Sequence, residues 1–584
     1  MPKIPEYQSV LDIRYGVDPY LDALLLHFMT ENNLEYTIDP TKNASAEQIR
    51  FMVALRGNTF YAPCSDWMFL QLLKSGLTKE LLAEYLEQWK SMIRLVLENV
   101  ADRYTRRRII GLCRHKFRLA LASPIMIPSR LMKHMETIFL TQSGLDDPKR
   151  KIKQRRNKRA KQVLDGQEFD RIVNSRPQQD LTSRRIDDLR FEMDMLELER
   201  LLTVSTLPEL WSDDKLEQGL YAVHEEIQAR ATDFTCLREL FERGRSCCKK
   251  ILYLPDMCGG IMFDLAVVRS LLRQGHKVVL ALKEGYYNEQ PTFWDVEHDS
   301  VLAEAMQGAH FLSNNRVSKN ELLRAMREHS FVVVSDGSRE RFNPYRLSVT
   351  LARAWKECDF VLAKGDGTHR RIELTSHQFT RDVLCFFRDP DGKLQLHCRQ
   401  KAPWVRKLGE EYITAKADEI IDEMRRARAQ RRSVMFYSGI VGSIPGQVKI
   451  AIDVMTTFVN HLRTRMEDVY VINPAEHFEE GMDADDLMFM WEKVQRSGYI
   501  NIWRFQSTED IAKSFELMNR KVPYVWAGKD ATYSTGCTKE MHIALDVQHT
   551  SPEMQILGPD PDKFFRRREY GVGRFCDVAI DECD

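Results

Sequence analysis

From about residue 249 the chain alternates between short apolar runs and amphipathic stretches, and this alternation restricts the fold severely. Lys250–Leu254, Lys277–Leu282, Phe331–Ser335 and Phe360–Ala363 are runs of Val, Ile, Leu and Phe with almost no polar interruption. Strands that are apolar on both faces belong in a sheet covered on both sides, and in practice that means a parallel sheet with crossover helices. The stretch Met262–Gln274 supplies one such helix. The pattern resumes at Val434–Tyr437 and Val469–Ile472, with helices over Ile413–Arg432, Gln447–Arg463 and Ala484–Gln495. The expected fold class is α/β, a doubly wound, largely parallel sheet with a helical N-terminal region.

Ahead of the sheet the pattern is helical. Apolar residues recur at spacings of three and four through Ala46–Ala54, Trp67–Leu73, Thr78–Asn99 and Tyr104–Ala122. Thr78 suits a helix start, because its hydroxyl can satisfy a free backbone N–H. With 584 residues the chain is long enough for two to four units. The expected division is a helical region over 1–145, a basic connector and helix over 146–200, an α/β core over 201–410 and an α/β extension over 411–584.

Hydrophobic residues make up 43% of the chain, which excludes wholesale disorder. No run approaches the ~20 apolar residues of a membrane helix, and the N-terminus lacks a signal pattern. The 12 cysteines include no C-x-x-C pair and read as reduced thiols. A cytoplasmic protein is expected.

Lys plus Arg and Asp plus Glu both number 85, yet the charges are segregated. Nine of the thirteen residues from Lys149 to Lys161 are basic. Such a run repels itself and is expected to be a solvated helix, a flexible linker or a nuclear-localisation-like patch. Further basic groups lie along Arg106–Arg118, Arg425–Arg432 and Arg566–Arg568. They suit phosphate contacts, and equally suit solvated helix faces.

In a parallel α/β sheet, ligands sit beyond the carboxyl ends of the strands. Three such ends are polar. Asp256 follows the first strand and leads through Gly259 and Gly260 into a helix. The carboxylate could meet a metal or a hydroxyl, and the glycines allow close approach of a ligand; an ordinary βα turn capped by Asp256 fits the same residues. Asp336-Gly337-Ser338 closes a second strand. Lys364-Gly365-Asp366-Gly367 closes a third and continues to Arg370, a pattern able to grip a phosphate or carboxylate or to form a turn salt bridge. The loop Ser438–Gly446 lacks the ending of a P-loop and is a weaker anion cradle.

Ile251–Leu265 and Lys364–Ile372 resemble the strand-turn-helix and Lys-Gly-Asp segments of the damage-control phosphatase superfamily, the acidic-residue-methyltransferase-like metal-binding fold. The resemblance implies a divalent metal such as Mg²⁺ or Mn²⁺ held by Asp-Asn at the first strand end and by a later Asp. Here Asp256 is kept, but Met257 stands where Asn is expected, and a thioether is a poor ligand for a hard cation. Glu289 or Asp295 is the expected stand-in for the missing Asp, with Asn288 near the metal. A metal phosphatase built this way would be impaired, so a repurposed fold is expected.

A direction for that repurposing comes from Asp213, Asp214 and Glu217, a D-D-x-x-E pattern whose spacing places Glu217 on one helix face with the aspartates. The same residues also fit the acidic first turn of a helix. The pattern resembles that of fungal arginine-containing cyclodipeptide synthases. That resemblance implies a transferase of secondary metabolism that joins arginine from arginyl-tRNA to a second aminoacyl-tRNA-derived residue as a diketopiperazine. Asp213, Asp214 and Glu217 would then be catalytic, with Asp256, Gly259, Gly260, Lys364, Asp366 and Arg370 binding substrate. The alternative expectation is a metal-dependent phosphatase of small phosphorylated metabolites, with Asp256, Asn288 and Asp295 near the metal.

Overall fold

The structure is a computed structural model. It describes residues 7–566 except 8, 35–46, 56–60, 75, 175–184, 212–215, 230–231, 244, 246, 445 and 480. The chain divides into two compact units, 1–405 and 406–584.

The first unit is built on a seven-stranded sheet. Its strands are β1 (Lys250–Leu254), β2 (Lys277–Leu282), β3 (His310–Leu312), β4 (Phe331–Ser335), β5 (Phe360–Lys364), β6 (Asp382–Arg388) and β7 (Leu394–Arg399). The spatial order is β3-β4-β2-β1-β5-β6-β7. All neighbours are parallel except β6 and β7, which form an antiparallel edge. Alternate residues of each strand enter opposite cores. Ile251, Tyr253, Val278, Leu280 and Leu362 face one, packed with the helix Gly260–Arg273. Leu252, Leu254, Val279, Val361 and Ala363 face the other, packed with Trp355 of the helix Val349–Glu357. Burial on both faces is why these strands lack polar alternation, and the doubly wound α/β architecture follows from it.

The N-terminal helices Pro19–Glu31, Lys79–Asn99, Arg103–Ala122 and Pro128–Ser143 share a separate core around Phe28, Tyr85, Phe117 and Phe139. Thr78 caps the second of these by accepting from the Leu81 N–H at 3.2 Å.

The basic run is a helix and not a flexible linker; Lys151, Arg155 and Lys158 form its solvated side, but the opposite side is packed. It folds into the helix Arg150–Leu164, which carries Lys153, Asn157 and Ala160 buried along one side. The ammonium of Lys153 lies 2.6 Å from Asp147 and 2.8 Å from Asp295. Arg156 pairs with Glu289, and Asn157 donates to Asp299 at 2.8 Å. Four-residue spacing places Lys153 and Asn157 on one face, and carboxylates from distant loops neutralise what the local sequence cannot.

The second unit carries β8 (Ser433–Ser438), β9 (Val469–Ile472), β10 (Ile502–Phe505) and β11 (Gln555–Leu557) in the parallel order β11-β10-β8-β9. Among the described residues no helix is long and apolar enough to cross a membrane.

Removing the Lys153 cation leaves two largely buried carboxylates uncompensated. Lys153→Met is expected to destabilise the first unit by about 3–5 kcal/mol. Lys158→Ala, at an exposed position of the same helix, should stay within about 0.5 kcal/mol of wild type. Urea midpoints followed by tryptophan fluorescence check the contrast, and equal midpoints would contradict the packed assignment.

Candidate active site

The strand ends of β1, β2, β4 and β5 open into a cavity of ≈ 410 Å³. Its polar lining includes Lys149, Asp256, Lys283, Tyr287, Asn288, Glu289, Gln290, Asp336 and Arg341. Leu254, Ala281, Phe342, Leu347 and Leu351 supply an apolar wall.

Asp256 reaches this cavity because β1 and β5 are adjacent and in register, with Leu254 opposite Ala363. Two residues beyond Ala363, Gly365 has φ +97°, and a Cβ there would lie 2.6 Å from Asp256 Cγ. Only glycine tolerates both the backbone angle and the approach. Burial pushes the Asp256 carboxyl up to about 6, against the pull of Lys364. The charge of Asp264 raises it further, while Gln290 and Arg341 lower it. Gln290 Nε2 donates to Asp256 Oδ1 at 3.4 Å.

Around Asp256 the lysines are engaged. Lys283 bonds Asp336 at 2.6 Å and also donates to the Glu340 carbonyl at 2.6 Å. Lys364 is buried and bonds Asp264 Oδ1 at 2.7 Å, an oxygen that also accepts from the Tyr253 hydroxyl at 2.8 Å. Lys149 pairs with Glu98 at 3.0 Å. Asp366 and Arg370 pair with each other at 2.8 Å, half exposed, and neither lines the cavity.

The glycines after Asp256 serve packing. Gly259 has φ +87°, and a Cβ there would meet the Trp211 ring at 2.4 Å. Its N–H donates to Asn157 Oδ1 at 2.6 Å. A Cβ on Gly260 would lie 2.9 Å from Lys364 Nζ. Space that a ligand would need is filled by Trp211, Asn157 and Lys364.

Asp213 and Asp214 lie outside the described residues. Glu217 belongs to the helix Leu216–Ala229, and its side chain lies outside them too. In the second unit Ser438 is buried and accepts from Trp503 Nε1 at 2.8 Å, so its hydroxyl serves packing within the sheet. Arg341, in the loop after β4, and Lys283 are charged cavity residues that the sequence did not single out. Only the fold brings Arg341 to Asp256.

A comparison with protein families matches residues 74–389 to the damage-control phosphatase ARMT1-like domain, just over half of the chain. The chain belongs to this family. A solved structure of a DUF89 family protein from Pyrococcus horikoshii aligns with 56% of this chain and 100% of its own, at 18% identity and a TM-score of 0.38. Comparison with curated proteins gives no match.

Membership corrects the expected chemistry. An arginine cyclodipeptide synthase, its acyltransferase reaction and its aminoacyl-tRNA partners are overturned by the family match. The D-D-x-x-E pattern that carried that reading is short and recurs wherever an acidic first turn opens a helix. Part of the basic run assigned to tRNA is spent on internal ion pairs, through Lys149, Lys153, Arg156 and Lys161.

The family points to an enzyme and, in general, to divalent-metal dependence. The donors present do not fit a metal. Asp256 and Asn288 line the cavity, but Asp295 does not. It is held by Lys153 and accepts from the Thr292 N–H at 2.8 Å. Asp336 and Asp264 are each neutralised by a lysine. Among the described residues no three His, Cys, Asp or Glu side chains converge as a metal-binding group.

A raised carboxyl has a consequence for stability. Between its unfolded value near 3.8 and about 6, the folded protein holds a proton that the unfolded chain releases. Stability from this group therefore falls as pH rises through that window. Asp256→Asn should gain about 2–2.5 kcal/mol relative to wild type between pH 4 and pH 8. Urea titrations at the two pH values check this, and a pH-independent difference would contradict it.

Proposed function

We propose that the chain is a phosphomonoesterase acting on small phosphorylated metabolites in the cavity beyond β1, β2, β4 and β5. One observation carries the reading. Among the described residues lining the cavity, Asp256 and Arg341 are charged groups without an ion-pair partner, and they face each other's field. Family membership supports phosphate ester chemistry, and the cavity volume suits a small metabolite.

The carboxyl of Asp256, raised to about 6, is partly protonated near neutrality and serves as a general acid. In hydrolysis the bond from phosphorus to the leaving oxygen breaks, and that oxygen takes the Asp256 proton. A new bond forms from phosphorus to a water oxygen. One water proton stays on the phosphate product and the other restores Asp256. The apolar wall of Leu347, Leu351 and Phe342 limits water and strengthens the electrostatics of this transfer.

Phosphate release from a panel of sugar phosphates and related monoesters is the test. Turnover should decline as pH rises past about 6, and Asp256→Asn should lower kcat by about 10²–10⁴-fold with KM little changed. No release from any monoester, with or without added Mn²⁺, would sink the reading.

A further inference from the structure

We propose that Arg341 is the anion-binding residue of the cavity, gripping a phosphate group directly through its guanidinium in the role that a metal ion would otherwise fill. The proposal rests on the phosphomonoesterase reading for its biological sense, but its own claim is binding alone.

The charges lining the cavity cancel in pairs. Lys149 is matched by Glu98, Lys283 by Asp336, and Glu289 by Arg156. Lys283 is further occupied by Ser338 Oγ at 3.3 Å and by the Glu340 carbonyl, so its ammonium has no donor to spare for a ligand. Arg341 differs. Among the described residues no ion pair joins it to a carboxylate, and its hydrogen-bonding neighbour is Tyr287, a neutral phenol. Asp366, which contributes to its field, is committed to Arg370.

A second guanidinium reinforces the first. Arg371 is 5% exposed and donates to Ser129 Oγ at 2.6 Å. Among the described residues it too lacks a carboxylate ion pair. Burial, and then the charge of Arg341, pull its pKa down, so the two cations share one poorly solvated region. Like charges gathered away from water repel unless an anion joins them. A guanidinium remains charged at any physiological pH and offers a planar fork that matches two phosphate oxygens.

The ligand class follows from this balance. A dianionic phosphate monoester, or inorganic phosphate as its product, meets Arg341 through its oxygens and presents its bridging oxygen towards Asp256. The guanidinium itself offers a neutral or cationic group no complement. The carboxylates that a bridging metal would need are already neutralised by Lys153, Lys283 and Lys364.

The test is calorimetric titration of inorganic phosphate into the full chain in EDTA at pH 6. Wild type should bind. Arg341→Gln should weaken binding at least tenfold at an unchanged thermal midpoint, and Arg341→Lys should recover part of the affinity, because a point charge replaces the fork. Equal affinity in wild type and R341Q, or wild-type binding that appears only with Mn²⁺, would overturn the proposal. Phosphate binding through Arg341 without turnover of any monoester leaves this inference standing and removes the phosphomonoesterase reading. Turnover with KM unaltered in R341Q does the reverse.

Discussion

The site depends on the absence of a side chain at Gly365. Parallel pairing of β1 with β5 sets their carboxyl ends side by side, and the Asp256 carboxylate rests where a Cβ of residue 365 would be. That contact partly buries Asp256, and burial is what raises its pKa. The neighbouring lysine of the same strand, Lys364, points inward to Asp264 and does not neutralise Asp256 by contact. One glycine thus separates two carboxylates into different roles. Asp264 anchors a buried lysine, and Asp256 keeps a titratable carboxyl at the cavity.

Lysines distribute the remaining charge. In a fold whose family is in general metal-dependent, three acidic side chains near the strand ends are held by ammonium groups from Lys283 just after β2, from β5 and from the helix Arg150–Leu164. An ammonium supplies one charge and a fixed set of donors, where a divalent ion would supply two charges and open coordination positions. The result is a rigid, neutralised frame around two uncompensated groups. The arrangement accounts for Met257 without special pleading: a thioether beside Asp256 costs nothing where no hard cation needs oxygen there.

Much of the sheet was legible. The boundaries of β1, β2, β4 and β9 match their apolar runs, because strands buried on both faces advertise themselves by composition alone. The edge strands were not. His310–Leu312 is too short to show a pattern, and Leu394–Arg399 mixes apolar and polar residues as a half-solvated antiparallel edge does. Asp256 was legible as a carboxylate at a strand end, and so was the loss of the neighbouring Asn. The partner Arg341 was not, since a loop arginine gains meaning only from the 85-residue separation that the fold closes between it and Asp256. The basic run misled for the same reason. Lys153 is neutralised by Asp295, far along the chain, and no local pattern announces that pairing.

The most direct measurement is a crystal structure of the full chain grown with both phosphate and Mn²⁺. The account predicts phosphate bound to the Arg341 guanidinium beside Asp256, with the Lys153–Asp295 pair intact. Manganese ligated jointly by Asp256 and an Asp295 released from Lys153, with phosphate on the metal and away from Arg341, would contradict it.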